Sequence, residues 1–564
     1  MENIWIKEYP EGIPATVDIH EYSSLRDIFE KSCLKFNHLP AYSNMSVAMT
    51  YGKLDELSRD FGAYLQHELG LVKGDRVAIM LPNLLQYPVA LFGALRAGLT
   101  VVNVNPLYTA RELEHQLRDS GATVIVVLEN FAHTVQQVIG KTPLKTVITT
   151  QIGDLFPAAK ALLTNLVVKH VKKMVPAWAI TGSRGLKQVL QAGKRHQVRD
   201  EPLTHADIAF LQYTGGTTGV PKGAILTHGN MVANLQQVSA WVARDLDEGV
   251  EAMVLPLPLY HIFALTSNLV FMKIGANNIL ITNPRDLPGF VKELKRIRFT
   301  GIIGVNTLFN ALLNTPGFPQ VVGRTLKITF AGGMAVQRAV AERWKQVTGV
   351  PIVEGYGLTE TAPVAIANPL NITDWTGTIG LPLPSTEVAL LDEESREVPL
   401  GEVGEISIRG PQVTGGYWNQ PDETAKAFTP DGWFRTGDMG HFNAKGYVKI
   451  TDRKKDMVLV SGFNVYPNEV EDVIMMHPGV TEVGVIGAPD ERSGEVVKAV
   501  VVKKDPELSA EQLIAHCRQF LASYKVPKIV EFRTEPLPKT NIGKILRRLL
   551  RDLGPATAKS RSSP

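Results

Sequence analysis

Cysteine is scarce in this sequence: Cys33 and Cys517 are the two thiols among 564 residues. Two cysteines so far apart provide neither a disulfide framework nor a zinc cluster, and they are typical of a protein in a reducing compartment. The formal net charge is only +3, so no strong field favours nucleic acid as a partner. The first residues lack the basic and apolar regions of a secretory signal, which predicts a chain without one.

Long hydrophobic runs are missing as well. The most apolar window covers residues 76–103, but charged residues and prolines interrupt it well short of the roughly 20 apolar residues that a membrane-spanning helix needs. With 44% hydrophobic and 20% charged residues, the composition is that of an ordinary globular enzyme. The chain is longer than one hydrophobic core supports, so we expect two or more domains.

One basic, amphipathic stretch, residues 155–180, allows two interpretations. Its apolar residues recur near helical spacing, and lysines lie among them. A basic amphipathic helix can rest on an anionic lipid surface, but it can equally pack against its own domain with its lysines solvated. The residues in question are Leu162, Leu163, Leu166, Val167, Val171 and Met174, with Lys160, Lys169, Lys172 and Lys173.

Strand-like and helix-like segments alternate through the first part of the chain. Short apolar runs separated by amphipathic segments favour a parallel sheet covered by helices. We therefore predict an α/β fold with helix-covered, mostly parallel sheets. The predicted strands are 77–80, 100–104, 123–128, 145–149, 279–281, 301–305 and 326–330, and the predicted helices are 84–96 and 110–119.

The character of the sequence changes near residue 400. Turn-rich sequence over residues 399–446 is followed by the charged residues 452–456 and then by an α+β pattern of domain size. A charged, polar junction suits a hinge, although such a cluster is usually a solvated turn. We predict a boundary at Asp452, between a large domain, 1–451, and a small one, 452–564. In the small domain the predicted strands are 457–460, 483–486 and 496–502, and the predicted helices are 468–476, 510–522 and 544–551.

The most informative segment is a loop rich in glycine and threonine, residues 213–223. Glycines let main-chain N–H groups approach an anion, threonine hydroxyls add donors, and Lys222 supplies a point charge. The loop is not a Walker A motif, because Lys222 is followed by glycine rather than by Ser or Thr. Taken alone, it fits either a phosphate cradle or a flexible hairpin. Its residues are Tyr213, Thr214, Gly215, Gly216, Thr217, Thr218, Gly219, Val220, Pro221, Lys222 and Gly223.

Four further segments carry polar chemistry. Residues 356–360 combine an aromatic face with a carboxylate, which suits base stacking and Mg²⁺ binding. Residues 431–438 form a turn that ends in an aspartate able to bind ribose hydroxyls. The other two are the charged cluster 452–456 and the basic segment 538–548, in which Lys544 follows a glycine. Taken one at a time, a surface Thr-Glu pair, an ordinary hairpin and the solvated face of a basic helix are the favoured explanations.

Together and in this order, the five segments resemble the adenylate-forming enzyme superfamily, which includes acyl-CoA synthetases, peptide-synthetase adenylation domains and luciferases. The resemblance covers about residues 20–552. Within the superfamily, residues 431–457 resemble the signature region of fatty acyl-CoA synthetases, and residues 461–467 and 539–548 resemble bacterial long-chain fatty acid–CoA ligases. The resemblance implies a large N-terminal domain and a small, mobile α+β C-terminal domain joined by a hinge.

The resemblance also implies a reaction and its partners. A long-chain fatty acid would attack ATP, with Mg²⁺, to give an acyl-adenylate and pyrophosphate, and coenzyme A would then take the acyl group and release AMP. A fatty acyl-AMP ligase that loads an acyl carrier protein, and a non-catalytic acyl-adenylate sensor, are the alternatives. By family analogy the protein is cytoplasmic, with peripheral contact at the inner face of the membrane as one option. The oligomeric state stays open, a homodimer included.

The resemblance implies site residues position by position. Lys544 would bridge the substrate carboxylate and the α-phosphate, and His261 would lie near that carboxyl unless it is a satisfied core histidine. Glu360, with Thr214, would hold Mg²⁺. The other implied contacts are Tyr213, Thr214, Gly215, Gly216, Thr217, Thr218, Gly219 and Lys222 on the phosphates, Gly333, Gly355 and Tyr356 around adenine with Gly357 and Thr359 beside them, Asp438 and Arg453 on ribose or phosphate, and Lys454, Lys455 or Arg518 on coenzyme A.

The acyl chain would need an apolar tunnel. By family position the candidates are residues 231–241, 305–312, 331–334 and 364–367, and each would also pass for ordinary core packing. Long-chain preference therefore follows from the resemblance and not from these residues.

Overall fold

The computed structural model describes residues 3–214, 221–322, 325–461, 463–490, 493–540 and 543–552. The tip of the predicted phosphate loop, with Gly215, Gly216, Thr217, Thr218 and Gly219, lies outside these ranges. Up to residue 453 the strands are, in chain order, β1 (Pro40–Asn44), β2 (Val47–Thr50), β3 (Arg76–Met80), β4 (Thr100–Asn103), β5 (Val124–Leu128), β6 (Thr146–Thr150), β7 (Arg184–Gly185), β8 (Ile208–Thr214), β9 (Lys222–Thr227), β10 (Ala252–Leu255), β11 (Asn277–Leu280), β12 (Gly301–Gly304), β13 (Ile328–Ala331), β14 (Ile352–Gly357), β15 (Val364–Ala367), β16 (Leu381–Pro382), β17 (Glu387–Leu391), β18 (Gly404–Arg409), β19 (Phe434–Phe442) and β20 (Val448–Arg453). The strands that follow are β21 (Val458–Val460), β22 (Phe463–Val465), β23 (Val480–Asp490), β24 (Gly494–Lys503) and β25 (Ile529–Arg533).

The helices are distributed along the whole described chain. In chain order they are α1 (Leu25–Lys35), α2 (Tyr51–His67), α3 (Gln86–Arg96), α4 (Ala110–Ser120), α5 (Ala132–Val138), α6 (Ala158–Leu166), α7 (Leu186–Gly193), α8 (His228–Val242), α9 (Ile262–Lys273), α10 (Leu287–Leu294), α11 (Asn306–Leu313), α12 (Arg338–Thr348), α13 (Pro421–Ala427), α14 (Pro467–Met475), α15 (Ala510–Cys517) and α16 (Arg547–Asp552). The predicted helices 84–96 and 110–119 are confirmed as α3 and α4.

One sheet has the strand order β7-β6-β5-β3-β4-β8-β9, and its strands run parallel except in the β8–β9 hairpin. Every residue of β5 is buried. Val124 and Val126 join one hydrophobic cluster and Ile125 and Val127 another, because the parallel sheet is covered on both faces. The strands predicted at 77–80, 100–104, 123–128 and 145–149 are confirmed as β3 to β6, to within two residues at each end.

The second sheet has the order β16-β15-β14-β13-β12-β10-β11-β1-β2. Its strands are parallel from β14 to β1 and antiparallel at both edges. It contains the predicted strands 279–281, 301–305 and 326–330 as β11, β12 and β13. The carboxyl ends of β13 and β14 lead into Gly333 and residues 355–360, and ligands bind at this edge in open α/β sheets.

Strands β17 to β20 form an antiparallel sheet, of which β18 and β19 lie in the region predicted to be turn-rich. That prediction missed both strands. The two glycines of β19 obscure the alternation of apolar and polar residues that normally marks a half-buried strand.

The smaller C-terminal domain has the order β22-β21-β24-β23, antiparallel, with β25 added parallel to β24. Helices α14 and α15 pack on it through a shared cluster that includes Ile474 and Leu513. The predicted helix 510–522 is too long: α15 ends at Cys517, where the chain turns and Leu521 donates back to the Cys517 carbonyl at 2.9 Å. This turn returns Leu521 to the same cluster. The α/β class with a smaller α+β domain is confirmed.

The predicted helix 544–551 is also wrong at its start, because α16 begins at Arg547. Lys544 lies instead on a short hairpin. The Thr540 N–H donates to the Lys544 carbonyl at 2.7 Å, and the Lys544 N–H donates to the Thr540 hydroxyl at 3.0 Å. Gly543 has a φ of +88°, a left-handed conformation that favours glycine.

The basic stretch 155–180 is helical only over α6 and a following π-helical turn, Val167–Val171. Leu162, Leu163 and Val171 are 67%, 65% and 72% exposed. Lys160 points inward to the Met45 carbonyl, so it does not belong to the outer face. Across the described ranges, none of the helices combines the length and apolarity needed to cross a bilayer.

Candidate active site

The predicted phosphate loop connects the two strands of the β8–β9 hairpin. Thr214 pairs with Lys222 and Tyr213 pairs with Gly223 across the ladder, so both ends of the loop are fixed in the sheet. The Tyr213 hydroxyl donates to Asp119 at 2.5 Å. Burial raises the pKa of Tyr213 well above its usual value, which keeps the phenol neutral.

Lys222 is held at the base of this loop by two neighbours from the C-terminal side of the large domain. Its ammonium forms an ion pair with Glu423, at the start of α13, and lies 5.3 Å from the centre of the Tyr417 ring. Lys222 and Lys426 hold the pKa of Glu423 at about 2. The cation of the loop is therefore already neutralised by a carboxylate in this structure.

Glu360 is buried and is bound to the same segment of chain. The Tyr417 hydroxyl donates to Glu360 Oε1 at 2.7 Å, and the Thr414 N–H donates to the Glu360 carbonyl at 2.7 Å. The Trp418 N–H in turn donates to the Gly223 carbonyl of β9 at 2.8 Å. Residues 414–418 therefore connect Glu360 with the phosphate loop.

The donor set around Glu360 fits magnesium better than a metal held entirely by protein. In the described parts of the chain, no group of three or more His, Cys, Asp or Glu residues could hold a metal ion. Mg²⁺ in nucleotide sites is commonly held by one or two carboxylates together with substrate phosphates. Tyr417 donates to Glu360 Oε1, and within the described ranges no hydrogen bond reaches Glu360 Oε2, which can therefore serve as a ligand. Thr214, at the end of β8, stays a predicted second ligand.

Tyr356, Asp438 and Arg453 form a second polar group. The Tyr356 hydroxyl donates to Asp438 Oδ2 at 2.6 Å, and Arg453 Nε lies 3.0 Å from Asp438 Oδ1. Asp438 and Arg453 are register partners on β19 and β20, so the sheet itself sets their pairing. A carboxylate has about four acceptor positions, so Asp438 can still accept from two ribose hydroxyls.

Two of the predicted glycines are required by the backbone. A Cβ on Gly357 would lie 1.7 Å from the Pro363 carbonyl oxygen, and Gly333 has a φ of +76°. Gly355 is different, because a Cβ there would meet nothing closer than 3.8 Å. Thr359 opens the 3₁₀ helix Thr359–Thr361, which carries Glu360. The contacts of these residues with adenine stay predictions.

Lys544 reaches this second group from the C-terminal domain. Its hairpin contacts helix α11, where the Thr307 hydroxyl donates to the Gly543 carbonyl at 3.2 Å. Burial, with the nearby Arg453 cation, lowers the pKa of Lys544 to about 8, although the Asp438 carboxylate opposes the shift. Among the described residues, none accepts a hydrogen bond from the Lys544 ammonium.

Lys455 and His261 lie in different settings. Desolvation and the Arg453 charge lower the pKa of Lys455, whose side chain is exposed. His261 caps α9, and its Nδ1 accepts from the Phe263 N–H at 3.4 Å. Desolvation lowers the pKa of His261 to about 4, so the ring is neutral near pH 7 and offers hydrogen bonds rather than charge. The Phe263 ring lies against Gly332 at the end of β13, which places His261 close to the ligand edge of the second sheet.

The four apolar candidates for the acyl tunnel, of which residues 231–241 belong to helix α8, contribute side chains to two hydrophobic clusters. Met231 belongs to one hydrophobic cluster with Val305 and Met334, and Trp241 belongs to another with Ala365. The Trp241 indole N–H donates to the Asn368 carbonyl at 3.0 Å. Helix α8 therefore shares a hydrophobic cluster with residues of each other candidate segment, and the course of an acyl chain among them stays a prediction.

Two residues of this site were not identified from the sequence. Tyr417 and Glu423 lie in the turn-rich region, 57 and 201 positions from their partners Glu360 and Lys222. No local pattern links such distant positions. The one available signal was the sequence Pro-Asp-Glu, typical of the first turn of a helix with acidic residues near its N-terminus.

Comparison with known proteins shows which family this chain resembles. Residues 29–418 match the AMP-binding enzyme family, and residues 469–544 match the AMP-binding enzyme C-terminal domain. The long-chain-fatty-acid–CoA ligase of Yersinia pestis is 56% identical over 553 residues, covering 98% of each chain. Anthranilate CoA ligase AuaEII in complex with anthranoyl-AMP has a TM-score of 0.83 at 26% identity, over 94% of this chain and 97% of that one. ATP-bound MatB from Rhodopseudomonas palustris has a TM-score of 0.80 at 28% identity, over 93% of this chain and 98% of that one.

Proposed function

This chain belongs to the AMP-binding enzyme family, and from that premise we propose that it is a long-chain fatty acid:CoA ligase that uses ATP, Mg²⁺ and coenzyme A. The observation that carries the proposal is the position of Lys544. The ammonium of this C-terminal-domain residue lies within the electrostatic field of Asp438 and Arg453, and among the described residues none accepts a hydrogen bond from it. Joining a carboxylate to a phosphate brings two anions together, and this is where an uncompensated ammonium is useful.

In the first half-reaction, the fatty carboxylate attacks the α-phosphorus of ATP and pyrophosphate leaves. Asp438 would hold the ribose hydroxyls and Lys222 would hold phosphate oxygens. The Lys544 ammonium would stabilise the negative charge that develops between the carboxylate and the α-phosphate. Mg²⁺, bound through Glu360, would neutralise charge on the phosphates. The protein thus contributes mainly position and charge.

In the second half-reaction, the coenzyme A thiol attacks the carbonyl of the acyl-adenylate and AMP leaves. Lys544 is not required for this step. The thiol must reach the acyl carbonyl, and the Lys544 hairpin would lie in its way. We propose that the C-terminal domain rotates about Asp452, the boundary between residues 1–451 and 452–564, to exchange one arrangement for the other. Lys455 is an exposed cation on the rotating side that suits the coenzyme A phosphates.

One assay tests the function against its alternatives. Purified protein is incubated with ATP, Mg²⁺, palmitate and coenzyme A, and pyrophosphate and thioester are measured separately. The ligase makes both products. Pyrophosphate without thioester would indicate an acyl-AMP ligase that loads a carrier protein, and neither product would indicate an acyl-adenylate sensor.

We also propose that the outer face of α6 and the following turn contacts an anionic lipid surface. Leu162, Leu163 and Val171 are largely exposed there, and Lys172 and Lys173 lie beside them. Exposed large apolar residues next to unshielded cations fit the interface of an anionic bilayer, where each lysine contributes about 1 kcal/mol.

Vesicle binding tests this surface. We expect neutralising Lys169, Lys172 and Lys173 to Gln to weaken binding to vesicles containing about 30% phosphatidylglycerol by more than about tenfold. The paired change Leu162→Ser and Leu163→Ser should also weaken it. Leu34→Ser is the matched control, because Leu34 is 82% exposed outside this surface. Equal binding by all variants would contradict the lipid contact.

A further inference from the structure

Arg547, the first residue of α16, is held by residues from several parts of the C-terminal domain. Its guanidinium donates to Asp452 Oδ1 at 2.9 Å and to the two carboxylate oxygens of Glu471 at 3.0 and 2.8 Å. It also donates to the Asn468 side-chain oxygen and lies 3.7 Å from Asp456. The side chain is only 12% exposed, so this is a buried charged cluster and not a solvated basic face.

Asp452, at the end of β20, is fully buried. Its carboxylate accepts from the main-chain N–H groups of Arg453 at 2.7 Å and Asn468 at 2.8 Å, in addition to Arg547. All three partners follow residue 452 in the chain. A rotation about the N–Cα bond of Asp452 would therefore carry its carboxylate with the C-terminal domain and leave the bond to Arg547 intact.

The segment that carries Lys544 ends at Arg547. The main chain of Lys544 is closed into its hairpin by two hydrogen bonds with Thr540. Arg547, three residues later, fastens the end of that hairpin to Asp452 and α14. A continuous set of bonds thus connects the proposed pivot with the proposed catalytic lysine.

We propose that Arg547 is a positioning residue for the adenylation half-reaction, because it fixes the place at which the Lys544 ammonium arrives when the domain closes. The proposal rests on the proposed function, since it needs two half-reactions that use Lys544 differently. Arg547 itself touches neither the substrate nor the nucleotide in this proposal.

The bidentate contact with Glu471 is the interaction that fixes the position of the Lys544 hairpin. A bidentate Arg–carboxylate pair fixes orientation as well as distance, whereas a lysine keeps the charge and loses the fork. A misplacement of about 1 Å at a reacting centre can cost about 100-fold in rate. A cluster that served folding alone would instead impair both half-reactions equally when it is disturbed.

The experiment measures the two half-reactions of full-length variants separately: pyrophosphate release from ATP and palmitate, and thioester formation from supplied palmitoyl-adenylate and coenzyme A. We expect Arg547→Gln to slow the first by about 100-fold and the second by less than about threefold. Arg547→Lys should recover part of the loss, to about tenfold. Arg551→Gln is the matched control, because Arg551 lies on the same helix and donates to Asp456 at 3.2 Å. In the described part of the chain, Arg551 forms no hydrogen bond with Asp452.

Glu471→Gln keeps the test decisive if Arg547→Gln does not fold. It replaces the Glu471 carboxylate by an uncharged amide of similar shape. Pyrophosphate release should slow by several-fold more than thioester formation. Equal slowing of both half-reactions by the folded variants, or an equal effect of Arg551→Gln, would overturn the positioning role. The wild-type protein must make thioester from palmitate, ATP and coenzyme A in the same assay, and its failure would count against the proposed function instead.

Discussion

The two lysines proposed to meet the phosphates stand in opposite electrostatic situations. Lys222, in the large domain, forms an ion pair with Glu423. Lys544, on the small domain, is without a described hydrogen-bond acceptor, and its pKa is lowered to about 8. Both side chains are mostly buried, so the difference lies in their partners.

This difference matches the work that each cation would do. Lys222 would bind ground-state phosphates, which would replace Glu423 as the partner of its ammonium. Lys544 would act where charge develops during the reaction. Because its ammonium has no hydrogen bond to a described residue to break first, it can stabilise that charge without an added energetic cost. The comparison predicts a large, step-specific effect for Lys544 and a small, binding-specific effect for Glu423.

The largest expected effect is that of Lys544→Ala. We expect pyrophosphate release to fall by about 1,000-fold, because the cation that stabilises the developing charge is lost. Thioester formation from supplied palmitoyl-adenylate should be largely spared. Stopped-flow or quenched measurements of the two half-reactions check this.

Lys539→Ala provides the control for that comparison. Lys539 lies on the same hairpin and pairs with Glu482, away from the large domain. Its loss should leave both half-reactions within about twofold of wild type, since its ammonium is bound to Glu482 within the C-terminal domain. Equal loss of the two half-reactions in Lys544→Ala would contradict the role assigned to the lysine.

A smaller effect is expected from pH. The charged groups that act on Lys544 are Arg453, Arg547, Asp438 and Asp456, and its pKa is about 8. The protonated form is the active one, so it is present below this pKa and is lost as pH rises through it. Between pH 7 and pH 9, kcat/KM for pyrophosphate release should fall by about tenfold.

The second half-reaction should respond to pH in the opposite sense. The attacking thiolate of coenzyme A becomes more abundant as pH rises toward a thiol pKa of about 8.5. Thioester formation from supplied acyl-adenylate should therefore increase over the interval in which adenylation declines. Parallel pH profiles for the two steps would remove Lys544 titration as the cause.

How much could be predicted from the sequence differs between these regions for physical reasons. The parallel strands were predictable, since strands such as β5 are continuous apolar runs buried on both faces. Strand β19 was not, because its two glycines interrupt the alternating pattern. Motif order predicted Asp438, Arg453 and Lys544, and the structure brings these three into one electrostatic group.

Contacts between residues far apart in the chain could not be predicted from the sequence. Lys222 and Glu423 are 201 positions apart, and either residue alone has the composition of a solvated surface. Arg547 belongs to a basic run that the sequence presents as a solvated helix face, and only packing shows that it is buried beside Asp452. Burial of a charge depends on what covers it, and the covering residues come from other parts of the chain.

The smallest expected effect is that of Glu423→Gln, which tests the ion pair at Lys222. Glu423→Gln removes the competitor that phosphate must displace, so we expect the KM for ATP to fall by about threefold, the range of a partly exposed ion pair. The gain should shrink at high salt, which already screens the pair. Initial rates at varied ATP, at low and high ionic strength, measure both.

Two further variants establish that this gain comes from Lys222. Lys426 also bonds to Glu423, at 2.8 Å, but is 73% exposed, so Lys426→Met should leave the KM for ATP unchanged. In a Lys222→Met background, Glu423→Gln should no longer lower the KM, because the two residues act as one coupled pair. If the gain persists without Lys222, Glu423 repels the phosphates directly, and the exchange of partners inferred for Lys222 does not occur.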